Sequence, residues 1–382
     1  MKISIEASTK LDYVGNMQDF KMLAGRTAGV CYMKEDMFNL RNEPQENTLN
    51  RAERTKAMKH HSVFDHSFIT LTLENIPKLF AMLLNNEKMY VTSEKSARYT
   101  QMKLPELEQY LYDKWFEKIK FLIIETYGGT SKFFNPSRVE KLAQENARYF
   151  TSVMTPTTME YTVSLRQLNY MCGWMQKFSE NLHPLYKMLK PYAEEFVDYI
   201  KSMGYLDSEL MDDGKNRGFS LVAKRARQEQ FGEVYSVNFE ATFASLAQLQ
   251  RHKTLNDELL LLDDPKFIIP EILQSFPNLV EEWLGDMKLM EGKFPQGQLV
   301  LVNERGTYEN LILKASERLC SCTQLESARN THEIITKIIT NTDNEQVKED
   351  LEKISHGARC TFGFKCNSPC GFKEGIDLTR II

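Results

Sequence analysis

The sequence predicts an α/β (α+β) fold built from two degenerate copies of one strand–helix–loop order. Three observations predict it. Phe68-Ile-Thr-Leu-Thr-Leu-Glu74 alternates like a strand and runs into an apolar helical stretch, Ile76 to Leu84. Tyr235-Ser-Val-Asn-Phe-Glu-Ala241 alternates in the same way and runs into a short amphipathic helix, Thr242 to Gln250. Long helical stretches follow both. An internal repeat outranks any local assignment, because missing it misplaces the whole fold.

Taken in order, Lys2–Glu6 reads as an edge strand and Asn16–Gly29 as a helix. Residues 35–58 are charged and Asn-rich and predict a loop with a short helix. An imidazole cluster, Lys59-His60-His61-Ser62-Val-Phe-Asp65-His66, precedes the first strand. After the first helix comes a short polar loop, Ser93-Glu94-Lys95-Ser96-Ala97-Arg98-Tyr99. Leu104–Tyr127 and Pro136–Asn146 read as helices inserted before a strand starting at Ala147, and helices follow at about 157–178 and 184–203. Gly204–Gly218, rich in Asp and Gly, reads as a linker. In the second copy Pro270–Met290 is expected to be helical, Gln298–Asn303 a strand, and Thr307–Thr340 one long helix. These elements divide the chain into 1–205, a linker 206–218, a diverged copy 219–345 and a Cys-containing tail 346–382.

With 382 residues the chain can form two ordinary domains or one large composite. A hydrophobic content of 42% and a charged content of 26% describe a soluble globular protein. A net charge of −4 gives no general attraction to nucleic acid, so no nucleic-acid polymer is expected as a partner. Lys224-Arg-Ala-Arg227 reads as a solvated helix face. No basic start precedes an apolar core at the N-terminus, and no apolar run is long enough to span a bilayer. The expectation is a cytoplasmic protein with no membrane partner.

Arginine suits phosphate, because its planar fork makes bidentate charge-assisted bonds that Lys cannot copy. Ser96 and Arg98 lie two apart on a short extended loop, so both can face one phosphate. Alone, Ser-x-Arg-Tyr is a weak signal, and a solvated Arg is the commoner explanation. Its order behind His60-x-Ser62-x-x-Asp65-His66 and a strand–helix pair makes it more specific. Together these residues resemble the first half of the flavin-dependent thymidylate synthase signature. That signature has a His-x-Ser-x-x-Glu-His entry, a strand, a helix ending in Arg-His-Arg, and Glu-x-Ser-x-Arg-Tyr. Here Asn86-Glu87-Lys88 replaces the basic triplet.

A version of the triplet reappears in the second copy. Gln248-Leu-Gln-Arg251-His252-Lys253 resembles the family's Gln-x-x-Arg-His-Arg, with Lys for the last Arg. Asn256 and Glu258 follow at the family's spacing, but no second Ser-x-Arg-Tyr does. Leu23 to Tyr32 resembles the family's first helix, and Ala147-Arg148 through Pro156 its Ala-Arg…Pro strand. Thr162-Val-Ser164-Leu-Arg166 resembles Thr-Val-Asn-Ala-Arg, with Ser for Asn, while the later Arg is lost near Met175. Arg318-Leu-Cys-Ser-Cys-Thr-Gln324-Leu-Glu326-Ser-Ala-Arg329 resembles the end of that same helix, and Thr307-Tyr308-Glu309 replaces its beginning. The two copies thus keep complementary sets.

The resemblance implies a thymidylate synthase complementing protein-like fold, an antiparallel sheet packed on long helices in each half. Family enzymes are homotetramers with sites assembled from several subunits, which implies here a homodimer acting as a pseudo-tetramer with a composite site. The implied reaction is reductive methylation of dUMP to dTMP with methylenetetrahydrofolate, FAD and NADPH. Carried over by motif, Glu94, Ser96, Arg98, Arg148 and Gln248 bind the dUMP-like nucleotide. His60, Ser62, Arg166, Arg251, His252, Lys253 and Asn256 contact FAD, and Arg318 stabilises charge on the pyrimidine carbonyl. No Gly-x-Gly-x-x-Gly follows a strand, so the usual dinucleotide fold is excluded. His61 and His66 are equally readable as hydrogen-bonded structural histidines. Two other functions stay open: a catalytically inactive nucleotide-binding or regulatory paralogue, and a flavin enzyme acting on a different pyrimidine nucleotide.

Five of seven cysteines fall in the last 63 residues. Cys360, Cys366 and Cys370, in a tail resembling Cys-containing tails of some family members, are candidates for a structural zinc site closed by Cys320 or Cys322. Buried thiols are the alternative.

Overall fold

The structure, a computed structural model, describes residues 1–9, 15–30, 37–98, 100, 102–181, 183–212, 218–366, 370 and 379–382. The chain packs as two units, each drawn from two segments. The first holds Met1–Lys95 and Pro156–Phe219, the second Ser96–Thr155 and Ser220–Ile382.

The first unit carries β1 (Lys2–Ser8), β2 (Phe68–Pro77), β3 (Tyr90–Glu94) and β4 (Pro156–Ser164). They form one antiparallel sheet in the order β1-β2-β4-β3, with β1 on the edge. Alternation decides the buried face: Ile69, Leu71 and Leu73 of β2 and Met159, Tyr161 and Val163 of β4 all point into the core. Directly paired Thr70 and Thr162 join their hydroxyls at 2.8 Å on the other face. Helix Lys78–Asn86 is buried from Leu79 to Asn86, as its unbroken apolar run requires. Helix Leu165–Met175 starts where Ser164 accepts from the Gln167 amide at 3.1 Å, a cap worth about 1 kcal/mol.

The second unit carries β5 (Val234–Thr242), β6 (Asn256–Leu261) and β7 (Leu299–Thr307), antiparallel in the order β5-β7-β6. Leaving β1 aside, both sheets have one topology. A strand leads through a short helix to a second strand, and a third strand inserts between the two. The core of this unit draws on both of its segments. Trp283 meets the Trp115 ring edge-on at 4.8 Å and Phe150 at 4.6 Å. Both indole N–H groups find acceptors, Trp115 on Asp286 and Trp283 on the Ile268 carbonyl, each at 2.7 Å. Deeper still, Lys314 and Glu304 pair at 2.5 Å with no exposed surface, and Tyr235 donates to the same carboxylate at 2.8 Å.

Several local expectations are corrected. Residues 157–164 form β4, not a helix, because Thr157, Thr158, Thr162 and Val163 are β-branched and alternate against β2. Ala147 ends helix Pro136–Ala147 and Arg148–Phe150 is a 3-10 turn, so no strand starts there. Residues 307–340 are two helices, Tyr308–Arg318 and Leu325–Asn341, broken where poor helix formers cluster at Cys320–Thr323. Pro277 opens a second helix within 270–290, and helices Met37–Asn42 and Gln45–Ala57 occupy much of the expected loop at 35–58. Ser93 and Glu94, at the start of the expected polar loop, belong to strand Tyr90–Glu94, and Asn256–Leu261, at the loop position of the second copy, is a strand. Cys31 and Tyr32 of the first-helix motif, Tyr99 of the polar loop and 213–217 of the linker lie outside the described residues.

Candidate functional site

Four guanidiniums converge in the second unit, two from each of its segments. Arg148 is 6% exposed, and its Nη2 donates to Gln324 Oε1, which also accepts from Gln248 Nε2. Arg318 Nη2 donates to the Gln248 carbonyl at 3.2 Å. Arg98 Nε pairs with Glu145, and its Nη2 donates to the Cys322 carbonyl at 2.9 Å. Arg251 follows the short helix Phe243–Leu249, its amide donating to the Gln248 carbonyl at 3.3 Å.

Burial, reinforced by the charges of Arg98 and Arg251, pulls the Arg318 guanidinium below arginine's usual value against the opposing pull of Glu317. Burial does the same to Arg148, with Arg98 adding to it and Glu145 resisting. Among the described residues, the buried atoms Arg148 Nε, Arg318 Nε and Gln248 Oε1 have no hydrogen-bond partner. Each such atom costs about 1–3 kcal/mol unless something else satisfies it. Clustered cations with unfilled donors beside an unfilled amide oxygen have the chemistry to receive an anion that also carries an N–H group.

Tyr149 and Glu326 brace the cluster from behind. Gln324 donates to the Tyr149 hydroxyl, which donates to Glu326 at 2.8 Å. Glu326 also accepts from the Thr242 amide at 2.7 Å and hydroxyl at 2.8 Å. Burial raises the Glu326 carboxyl even so, those donors and Arg148 pulling the other way. A cleft of about 190 Å³ shares Glu145, Tyr149, Gln324 and Glu326 with this assembly.

The first unit holds a separate polar chain. Arg166 pairs with Asp65 at 2.7 Å, donates to the Tyr170 hydroxyl at 3.2 Å and lies over that ring. Asp65 also accepts from Ser164 at 2.7 Å. His61 is buried, joined to Tyr170 at 2.8 Å and to the Lys56 carbonyl at 3.3 Å, a structural histidine. His60, Ser62 and His66 are exposed on or beside the 3-10 turn His61–His66.

Among the sequence-predicted residues, then, Arg98, Arg148, Gln248, Arg251 and Arg318 share the second unit's cluster. Ser96 lies beside them, its hydroxyl accepting from the Arg98 amide at 3.3 Å. His252, Lys253 and Asn256 continue from Arg251 toward β6. Glu94 belongs to the first unit, where it pairs with Lys78 at 2.6 Å. Glu145, Tyr149, Gln324 and Glu326 were not predicted as site residues. Gln324 and Glu326 stood in a quoted motif; only their hydrogen bonds to Arg148, Tyr149 and Thr242 mark them out.

Residues 13–177 match the sequence profile of Thy1, thymidylate synthase complementing protein. This stretch, less than half of the chain, is similar to that family. No curated protein sequence matches the chain. Among solved structures, the chain is similar to the UMP/dUMP methylase PolB from Streptomyces cacaoi bound with 5-Br dUMP. That match has 13% identity, covers 56% of this chain and 93% of the other, and has a TM-score of 0.35. It is also similar to thymidylate synthase X (ThyX) from Helicobacter pylori with FAD and dUMP, at 14% identity, 55% and 99% coverage and a TM-score of 0.33. Superpositions this loose transfer no geometry to the Thy1 segment or the cluster.

Among the described residues no three His, Cys, Asp or Glu side chains come together as a metal site. Cys366 is exposed while Cys370 is buried in the second unit's core. Among the described residues no helix is long and apolar enough to cross a membrane.

Proposed function

We propose that the chain is a flavin-dependent thymidylate synthase with a composite nucleotide site. Its reaction is the reductive methylation of dUMP to dTMP, with methylenetetrahydrofolate as one-carbon donor, FAD as redox group and NADPH as reductant. One observation carries this: Arg98 and Arg148 from the first copy's motifs share a packed unit with Gln248 and Arg318 from the second. Tandem duplication with divided losses accounts for that, and the shared topology of the two sheets supports it.

In this account Arg148 and Arg98 hold the phosphate dianion, Arg148 through the Nε that lacks a partner. Ser96 adds a hydroxyl. Gln248 Oε1 is an acceptor for the N3–H of a uracil ring, and Arg318 Nε a donor to a pyrimidine carbonyl. A fixed donor facing developing negative charge is worth about two to three orders of magnitude in rate. Glu326, Tyr149 and Gln324 hold these groups in register before substrate arrives.

The donor set fits the anionic parts of FAD. Arg251, His252 and Lys253, with Asn256, would hold them. When bound, FAD supplies the redox chemistry. Two chains would associate as a pseudo-tetramer.

A regulatory, nucleotide-binding paralogue is favoured by one observation, that Glu145 already neutralises Arg98. The test is a pair of separate variants, Arg98→Ala and Arg251→Ala, assayed for dUMP methylation. Each should abolish activity; equal residual activity in both means independent sites. An unmodified protein that binds dUMP but never methylates it is the paralogue.

A further inference from the structure

The break between helices Tyr308–Arg318 and Leu325–Asn341 carries chemistry that nucleotide methylation does not use. Cys320-Ser321-Cys322-Thr323 is a turn closed by the Thr323 amide donating to the Cys320 carbonyl at 2.8 Å. The Cys322 amide donates to Cys320 Sγ at 3.5 Å, folding that sulfur over the turn toward its neighbour. Residues two apart in such a turn fall within the Cα separation of roughly 4.4–6.8 Å that a disulfide spans.

Arg138 gives the pair its polarity. Its Nη2 donates to Cys322 Sγ at 2.8 Å, and its guanidinium lies 4.6 Å over the Phe133 ring, which fixes its aim. A guanidinium at this distance stabilises negative charge on sulfur, the nucleophilic form of a cysteine. Cys320 is held as the thiol: its side-chain hydrogen bond with the Cys322 sulfur, then burial, push it well above a cysteine's usual value against the pull of the Cys322 amide. Both cysteines are half-buried, so small oxidants reach them.

We propose that Cys320 and Cys322 are a peroxide-responsive thiol pair, with Cys322 the attacking sulfur and Cys320 the resolving one. Cys322 thiolate attacks hydrogen peroxide; an S–O bond forms, the O–O bond breaks, and the departing hydroxide takes a proton to become water. Cys320 then attacks the Cys322 sulfenic acid; the S–S bond forms and the S–O bond breaks, releasing a second water. Two thiols are oxidised to one disulfide and one peroxide is reduced to two waters. The Cys322 carbonyl anchors Arg98 at 2.9 Å, so closing the ring reshapes the anchor. That consequence, unlike the thiol chemistry, rests on Arg98 being a nucleotide ligand.

The test uses the full, reduced chain. Iodoacetamide at pH 7, followed by peptide mass spectrometry, should label Cys322 about tenfold faster than exposed Cys366, and Arg138→Leu should erase the difference. Peroxide should make the tryptic peptide Leu319–Arg329, which carries both cysteines, two hydrogens lighter. Cys320→Ser should instead yield a dimedone adduct on Cys322. Labelling of Cys322 no faster than Cys366, or two alkylatable thiols after peroxide, overturns the pair. Oxidation should also weaken dUMP binding tenfold or more, as loss of a charge-assisted bond implies. A disulfide without that loss overturns the link to Arg98. Absence of dUMP binding by the reduced protein defeats the nucleotide site and leaves the pair to be judged by labelling.

Discussion

Replacing Arg148 with Met separates a ligand-binding guanidinium from a structural one. Arg148 is 6% exposed and, among the described residues, its side chain bonds to Gln324 and to no carboxylate. Losing a charge-assisted bond costs about 1.5–3 kcal/mol. Against this, a buried charge without a bonded counter-ion carries a desolvation penalty of several kcal/mol, which a similarly sized apolar side chain removes. The two nearly cancel. The variant should unfold within about 2 kcal/mol of the parent, a shift of roughly 4 °C or less in either direction. Affinity for dUMP should nonetheless fall about 10–150-fold, the same bond now missing from the complex. Thermal unfolding of the nucleotide-free protein and calorimetric titration with dUMP read the two quantities separately. A fall of 8 °C or more with unchanged affinity would refute the assignment and make Arg148 a structural cation.

Arg98→Met should behave oppositely, because it leaves the nearly buried Glu145 carboxylate unpaired; a loss of about 3–5 kcal/mol in denaturant unfolding is expected, largely restored by adding Glu145→Gln. Lys314→Met strands Glu304 in the core and should cost a similar 3–5 kcal/mol, without altering dUMP affinity at temperatures where the variant is folded. Glu326 gives a pH signature. Burial raises its carboxyl in the folded protein, so its contribution to stability is fully present below the ordinary carboxylate value of 4.5 and is lost as pH rises above it. Glu326→Gln should flatten that part of a chemical-denaturation profile, and an unchanged slope would place the titration elsewhere.

Much of the fold was legible where pattern and burial agree. The alternation of Phe68–Glu74 and Tyr235–Ala241 foretold β2 and β5, and the apolar run after Ile76 foretold the helix Lys78–Asn86. The expectations failed where sequence neighbours mask a segment's own strand pattern, or where ion pairs carry polar residues into a strand. Thr157 to Val163 sits beside helix formers in sequence, yet β2 recruits it as a ladder partner. Asn256–Leu261 begins with polar residues because its ion pairs, Glu258 with Arg227 and Arg305, carry charge into a strand. At the site, the arginines were legible by motif. Gln324 and Glu326 were not, since their importance lies in being buried against Arg148 and Tyr149, which spacing alone does not encode.

On the proposed function, this arrangement of arginines and amides serves a flavin enzyme acting on dUMP. A visible spectrum of the purified protein, with FAD titrated in, tests it most directly. Bound flavin at one FAD per chain or fewer is the predicted result. No flavin binding by protein whose fold is intact would contradict it.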